Sequence, residues 1–230
     1  MSVNDMGFAA QVEYKTLAEG DYDAIIHGVV GLGLNPVEFQ GEQKAPAVFI
    51  KIIYEIPSEV RGDGLSTVIG QKLKLSGNDK SNCYKFLTTL FGTAINKNTA
   101  VGYLNSAGLQ NLLGKTLSIT INHFNKDGKD IAYVGGTTKL DPRLPQPVAT
   151  REAFFFNPLL PDLNVFKNTI TYSTQEQIMG ALNAKQFPRE LHEEWVSIQE
   201  NKAAKDSATR APHAPSRNAT LGSGNTESIE

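Results

Sequence analysis

Hydrophobic and polar residues alternate over most of the first 140 positions, and that alternation predicts strands. Over 20–33, Tyr22, Ala24, Ile26, Gly28 and Val30 fall on one face and Asp23, Ile25, His27 and Val29 on the other. Its glycines suit a strand that bends or bulges, and a polar connection, NPVEFQGEQKAP, follows. Over 47–57, Val48, Ile50, Ile52, Tyr54 and Ile56 form an apolar face, and Phe49, Lys51, Ile53 and Glu55 a mixed one. Pro57 is expected to end that strand, since proline lacks the N–H a ladder needs. A third strand spans 67–76, with Ile69, Leu73 and Leu75 inward and Lys72 and Lys74 outward.

The period then changes. Phe86, Leu87, Leu90 and Phe91 recur at helical spacing, with Asn78 or Asp79 as the expected N-cap and Gly92 as the C-terminal stop. A second short helix is predicted over 107–114. Alternation returns over 115–124, where Leu117, Ile119 and Ile121 share a side. Asn125-Lys126-Asp127-Gly128 is a hairpin signal, and 129–140 is the return strand.

The order is therefore three strands, a helix, two strands. That is the order of the OB-fold, a five-stranded Greek-key barrel whose helix between strands 3 and 4 plugs one end. The expected class is mostly β, an OB barrel with a C-terminal extension. An SH3-like barrel or an open α+β sheet would also accommodate much of this order.

Composition divides the rest. Residues 1–18 have few apolar positions and no clear period, which predicts a flexible arm before an OB domain at 19–140. A proline-rich exit begins the extension, 141–200. Within it the apolar stretch 152–170 needs a surface, either the barrel or another subunit. Residues 174–200 have helical spacing interrupted at Pro188. Residues 201–230 lack aromatics and are rich in Ser, Ala, Pro and Gly, which predicts a disordered tail.

Charge and chemistry narrow the function classes. The formal net charge is -2, so partners depend on where charges sit rather than on their sum. The one cysteine, Cys83, excludes an internal disulfide, and there is no run of apolar residues long enough for a membrane span. His27, His123, His192 and His213 stand far apart with no metal-ligand spacing, and no phosphate-loop motif occurs. The expectation is a protein without catalytic residues, metal or cofactor.

The mixed strand faces carry more. Phe49 and Lys51 on the second strand and Lys72 and Lys74 on the third are expected side by side, on the surface where OB-folds bind oligonucleotides. Unpaired bases stack on rings and phosphates need cations. Phe39 and Lys44 in the first connection, Phe124, Lys126 and Lys129 at the last hairpin, and Tyr133 on the return strand complete the candidate set.

The stretch EGDYDAIIHGVVGLGLNPVEFQGEQKAPAVFIKIIYEIPSE resembles the N-terminal portion of a group of tailed-phage proteins. LQNLLGKTLSITINHFNKDGKDIAYVGG and FFFNPLLPDLNVF resemble their second half and C-terminal extension. That group is similar to phage single-stranded DNA-binding proteins of OB-fold type. The resemblance implies a protein that coats single-stranded DNA during phage replication or recombination, in the cytoplasm of an infected bacterial host. It also implies a C-terminal tail as the candidate docking point for phage or host replication and recombination proteins. The segment SGNDKSNCYKFL departs from the family's more charged form, with Asp79-Lys80 standing where a Glu-Lys pair is usual. The rival expectation is an OB-fold interaction or virion-associated protein that does not bind DNA.

Overall fold

A computed structural model describes residues 16–92, 95, 101–143 and 145–209. The expected N-terminal arm thus lies largely outside the described residues, as do residues 210–230. The chain divides into two compact units, residues 1–195 and 196–230.

Five strands arise where alternation predicts them: β1 Gly20–Phe39, β2 Glu42–Val60, β3 Ser66–Lys74, β4 Thr116–Lys126 and β5 Lys129–Thr138. They form one antiparallel sheet in the order β3-β2-β1-β4-β5. Helix α1, Asn82–Phe91, lies between β3 and β4, followed by a 3-10 turn, Val101–Leu104, and α2, Ser106–Gln110. The N-cap of α1 is Ser81, not Asn78 or Asp79; its hydroxyl accepts from the Tyr84 N–H. Gly92 ends the helix as expected, at φ 61°.

The sheet is open rather than a closed barrel. No ladder joins β3 to β5 among the described residues. The Gln71 side chain spans the gap instead, accepting from the Tyr54 hydroxyl at 2.7 Å and donating to the Val134 carbonyl at 3.4 Å. A cavity of about 880 Å³ is lined in part by Leu17, Tyr22, Ile69 and Ala132.

β1 and β2 are longer than the alternation alone predicts. The supposed connection between them is a continuous two-stranded ribbon closed by a tight turn at Gln40 and Gly41, both with positive φ (54° and 80°). The β4–β5 turn repeats this geometry at Asp127 and Gly128. Both are two-residue hairpins whose twist matches the strands.

The two faces of the sheet bury different things. One face, with Ile26, Val29, Ile52, Tyr54, Leu117 and Ile119, closes over the Phe86–Leu87 stripe of α1 and over Leu112. A bulge in β1 between Ile26 and Gly28 breaks strict alternation. It puts Val29 into that core and turns Val30 away, the reverse of the sequence expectation.

The other face of β1 is covered by the extension. A short strand β6, Phe154–Phe156, pairs in parallel with Gly28–Val30. Helices α3, Leu163–Asn168, and α4, Tyr172–Met179, follow, then a 3-10 turn at Ala184–Gln186 and helix α5, Arg189–Thr209. Phe156 is fully buried and stacks on Phe166 at 5.5 Å between centroids. Gly28 is required there: a Cβ would sit 2.6 Å from the Phe154 ring. The extension's apolar stretch therefore lies on the sheet of its own chain. The tail predicted from residue 201 is helical as far as Thr209.

A polar cluster pins the start of the extension. The Thr150 N–H and hydroxyl both donate to the Glu55 carboxylate, at 2.8 and 2.6 Å. Arg151 Nε donates to the Ser66 carbonyl at 3.1 Å, and the Ser66 and Thr150 hydroxyls are bonded to each other. His27, buried at the bulge, meets Phe154 edge-on. Burial pulls its imidazole below the ordinary value; Glu55 opposes that shift and Arg151 adds to it. For Glu55, burial pushes the carboxyl up, but the Thr150 and Ser66 hydrogen bonds and His27 outweigh it, and the net shift is downward.

Candidate nucleic-acid interface

The residues singled out by sequence fall into three groups. The first lies on the outer face of β2 and β3. Register pairs Phe49 with Lys74 and Lys51 with Lys72. Directly opposed residues in an antiparallel pair share a face, and Ile50, Ile52 and Leu73 between them point into the core. All four candidates are thus carried on one surface, which the extension does not bury as it buries β1. Phe49 is half-buried, and Lys72 and Lys74 are exposed.

Lys72 Nζ lies 4.6 Å from the centre of the Phe49 ring. Partial burial there lowers the lysine's pKa. No carboxylate lies within ion-pair distance of Lys72 or Lys74 among the described residues. A base could stack on the Phe49 ring face only by displacing the ammonium. The ammonium–ring contact is worth about 0.5–1 kcal/mol at an exposed site, whereas stacking of a base is worth about 1–3 kcal/mol. The ammonium can give way to a base and remain beside its phosphate.

Lys51 departs from the expectation of a solvent-facing cation. Its chain runs over Gly70, and its Nζ donates to Thr174 Oγ1 at 2.9 Å in the first turn of α4. Burial lowers its pKa. Sequence spacing places Lys51 on the correct face but carries no sign of Thr174, which is 123 residues away.

The second group is the β4–β5 hairpin. Phe124 and Tyr133 are exposed, and their rings meet edge-on at 5.7 Å. Tyr133 opposes Asn122, on the side away from Ile121 and Val134, so its register turns it outward. Lys126 and Lys129 are directly opposed beside the turn, with Asp127 and Asp130 interleaved. The third group sits at the tip of the β1–β2 ribbon. Phe39 is 61% exposed, and Lys44 is ion-paired to Glu42, which makes it a poorer phosphate ligand than its sequence setting suggests.

No family model matches this chain, and no curated protein matches it. The candidate interface thus rests on its own geometry: rings and ammonium groups on a partly open sheet face, with an exposed aromatic near the turn of each of two hairpins.

His27 and His123, the two strand histidines among the described residues, are occupied structurally. His27 is buried under Phe154, and His123 Nε2 donates to the Leu17 carbonyl at 2.6 Å. Among the described residues, no three His, Cys, Asp or Glu side chains gather in a way that would hold a metal ion. No helix among them is long and apolar enough to cross a membrane.

Proposed function

We propose that the chain is a single-stranded DNA-binding protein of OB-fold type. It coats and protects the strand during phage DNA replication and recombination, in the cytoplasm of an infected bacterial host. The observation that carries this reading is the juxtaposition of Phe49, Lys72 and Lys74 on the open face of β2–β3, with no carboxylate paired to either lysine. Strand order supports it: an open sheet in the order β3-β2-β1-β4-β5, with a helix between β3 and β4 and Gln71 reaching from β3 to β5, is compatible with an OB-fold that lacks the β3–β5 ladder.

Binding is passive and independent of base sequence. Bases stack on Phe49 and on the Phe124–Tyr133 pair, phosphates lie along Lys72 and Lys74, and the ribbon tip at Phe39 flanks the path. The protein holds the strand extended, blocks reannealing, and releases it to a polymerase or recombinase. No metal or cofactor takes part. The segment after residue 209 is the docking point for replication and recombination partners.

Titration of a fluorescent oligo-dT by the full chain at several salt concentrations tests this. The expected result is binding whose logarithm falls linearly with log salt, by about 0.7 for each phosphate neutralised. No binding at low salt would overturn the reading. Assembly on gel filtration without DNA binding would point instead to an interaction or virion-associated protein, and metal-dependent degradation of the oligonucleotide to a nuclease.

A further inference from the structure

The extension does more than cover β1. Its helix α4 begins beside the β2–β3 face, and the first turn presents three hydroxyls. Thr171 Oγ1 lies 2.9 Å from Thr174 Oγ1 and 3.5 Å from Ser173 Oγ. Thr174 is buried and takes the Lys51 ammonium; Thr171 and Ser173 are exposed. Lys51 reaches Thr174 because β3 has no side chain in its way. A Cβ on Gly70 would lie 2.3 Å from Lys51 Cε, so the lysine stem lies flat in the space that glycine leaves.

An ammonium has three donors. One is spent on Thr174, and no carboxylate is paired with the group among the described residues. Lys72 stands directly across the ladder from Lys51 on the same face. A tether for the extension alone would not call for a cation beside two further exposed hydroxyls. A hydrophobic contact or a neutral donor would avoid the cost of burying charge.

We infer that the first turn of α4 forms one wall of the nucleic-acid face, where Lys51 together with the Thr171 and Ser173 hydroxyls holds one backbone phosphate. This rests on the proposed DNA-binding role and extends it to a part of the chain outside the five-stranded sheet. Thr174 is the positioning residue, since it aims the ammonium. The path of the strand then runs from Phe49 and Lys72 across Gly70 to α4, between the sheet and the extension.

The test is the oligo-dT titration repeated with variants of the full chain, each checked for an unchanged unfolding midpoint. Lys51→Met is expected to reduce the salt slope by about 0.7, and Lys51→Arg to restore it. The double variant Thr171→Ala, Ser173→Ala removes the two hydroxyls of the exposed residues, and with one of them the hydrogen bond between Thr171 and Thr174, while Lys51 keeps its own bond to Thr174. It is expected to weaken binding by roughly tenfold with the slope unchanged, because hydroxyl donors release no counterion. Added to Lys51→Met, the same pair should cost less than it does alone, since all three groups hold the same phosphate. Gly70→Val keeps every charge but displaces Lys51, and should lower affinity as Lys51→Met does. If the parent protein binds and the Lys51→Met slope and the hydroxyl variant's affinity both equal the parent's, this inference falls while the Phe49–Lys72–Lys74 face stands. If the parent does not bind oligo-dT at all, both fall together.

Discussion

One sheet face is treated in two ways. Over β1 it is sealed: Val30 and Leu32 are fully buried, β6 pairs alongside, and Phe156 of β6 stacks on Phe166 of the extension. Over β2 and β3, one and two strands away, the same face stays open and carries Phe49, Lys72 and Lys74. Residue type accounts for the difference. Gly28 and branched aliphatics give aromatic rings a close, dry seat, whereas two lysines in adjacent rows would lose their hydration under any apolar cover. The extension stops where covering the sheet would mean burying charge. Lys51, at the boundary, is half-buried and bonded across it. A sheet face can thus be part core and part binding surface, with the border drawn by a few side chains.

The sharpest way to break this contrast is to cut the covered side. Phe156→Ala should cost about 3–5 kcal/mol of unfolding free energy, read from urea denaturation, because a fully buried ring leaves a cavity. Phe49→Ala, on the open side, should cost much less while weakening oligo-dT binding; a comparable loss of stability would mean the two halves are both core. Gly28→Val, which forces a side chain against the Phe154 ring, should cost about 1–3 kcal/mol by overpacking.

The polar pins at the edge of the covered half predict acid sensitivity. His27 has a folded pKa below its ordinary 6.5, so the unfolded chain takes up the proton first, and stability declines as pH falls below that value. Glu55 has a folded pKa below its ordinary 4.5. Its contribution is present above that value and disappears as pH falls through the folded one. Thermal midpoints measured from neutral pH downward should therefore drop in two stages. His27→Phe should flatten the upper stage and Glu55→Gln the lower; an unchanged profile in both would mean the cluster does not pin the extension. The smallest stability effect belongs to the open half. Lys72→Met with Lys74→Met should move the unfolding free energy by no more than about 0.5 kcal/mol, yet reduce the salt slope by about 1.4, at about 0.7 per lysine.

What the chain revealed in advance follows the same division. The inward rows of β2, β3 and β4 and the stripe of α1 were legible because local alternation and helical spacing record burial on one side of an element. The β1 bulge was not, since a single extra residue at His27 reverses the faces beyond it without disturbing composition. The β1–β2 connection was misread as polar linker, although Gln40-Gly41 could have signalled a tight hairpin turn. The closed barrel did not follow from strand order, because closure depends on pairing β3 with β5, and no periodicity reports that. On the candidate face, the grouping of Phe49, Lys51, Lys72 and Lys74 was legible from strand parity. The capture of Lys51 by Thr174 and the ion pair at Lys44 were not, because one is a distant tertiary contact and the other a choice of rotamer.

The pairing of β6 with β1 has a consequence for biosynthesis. Strand β1 leaves the ribosome well before its neighbour at Phe154–Phe156, which follows more than a hundred residues later. Until then the Gly28–Val30 stretch, although already paired with β2, has no strand on its other side and its aliphatic side chains have no lid. The last third of the polypeptide thus acts as its chaperone in cis. A messenger truncated before codon 154 should yield a product that clumps rather than a smaller version of the same protein.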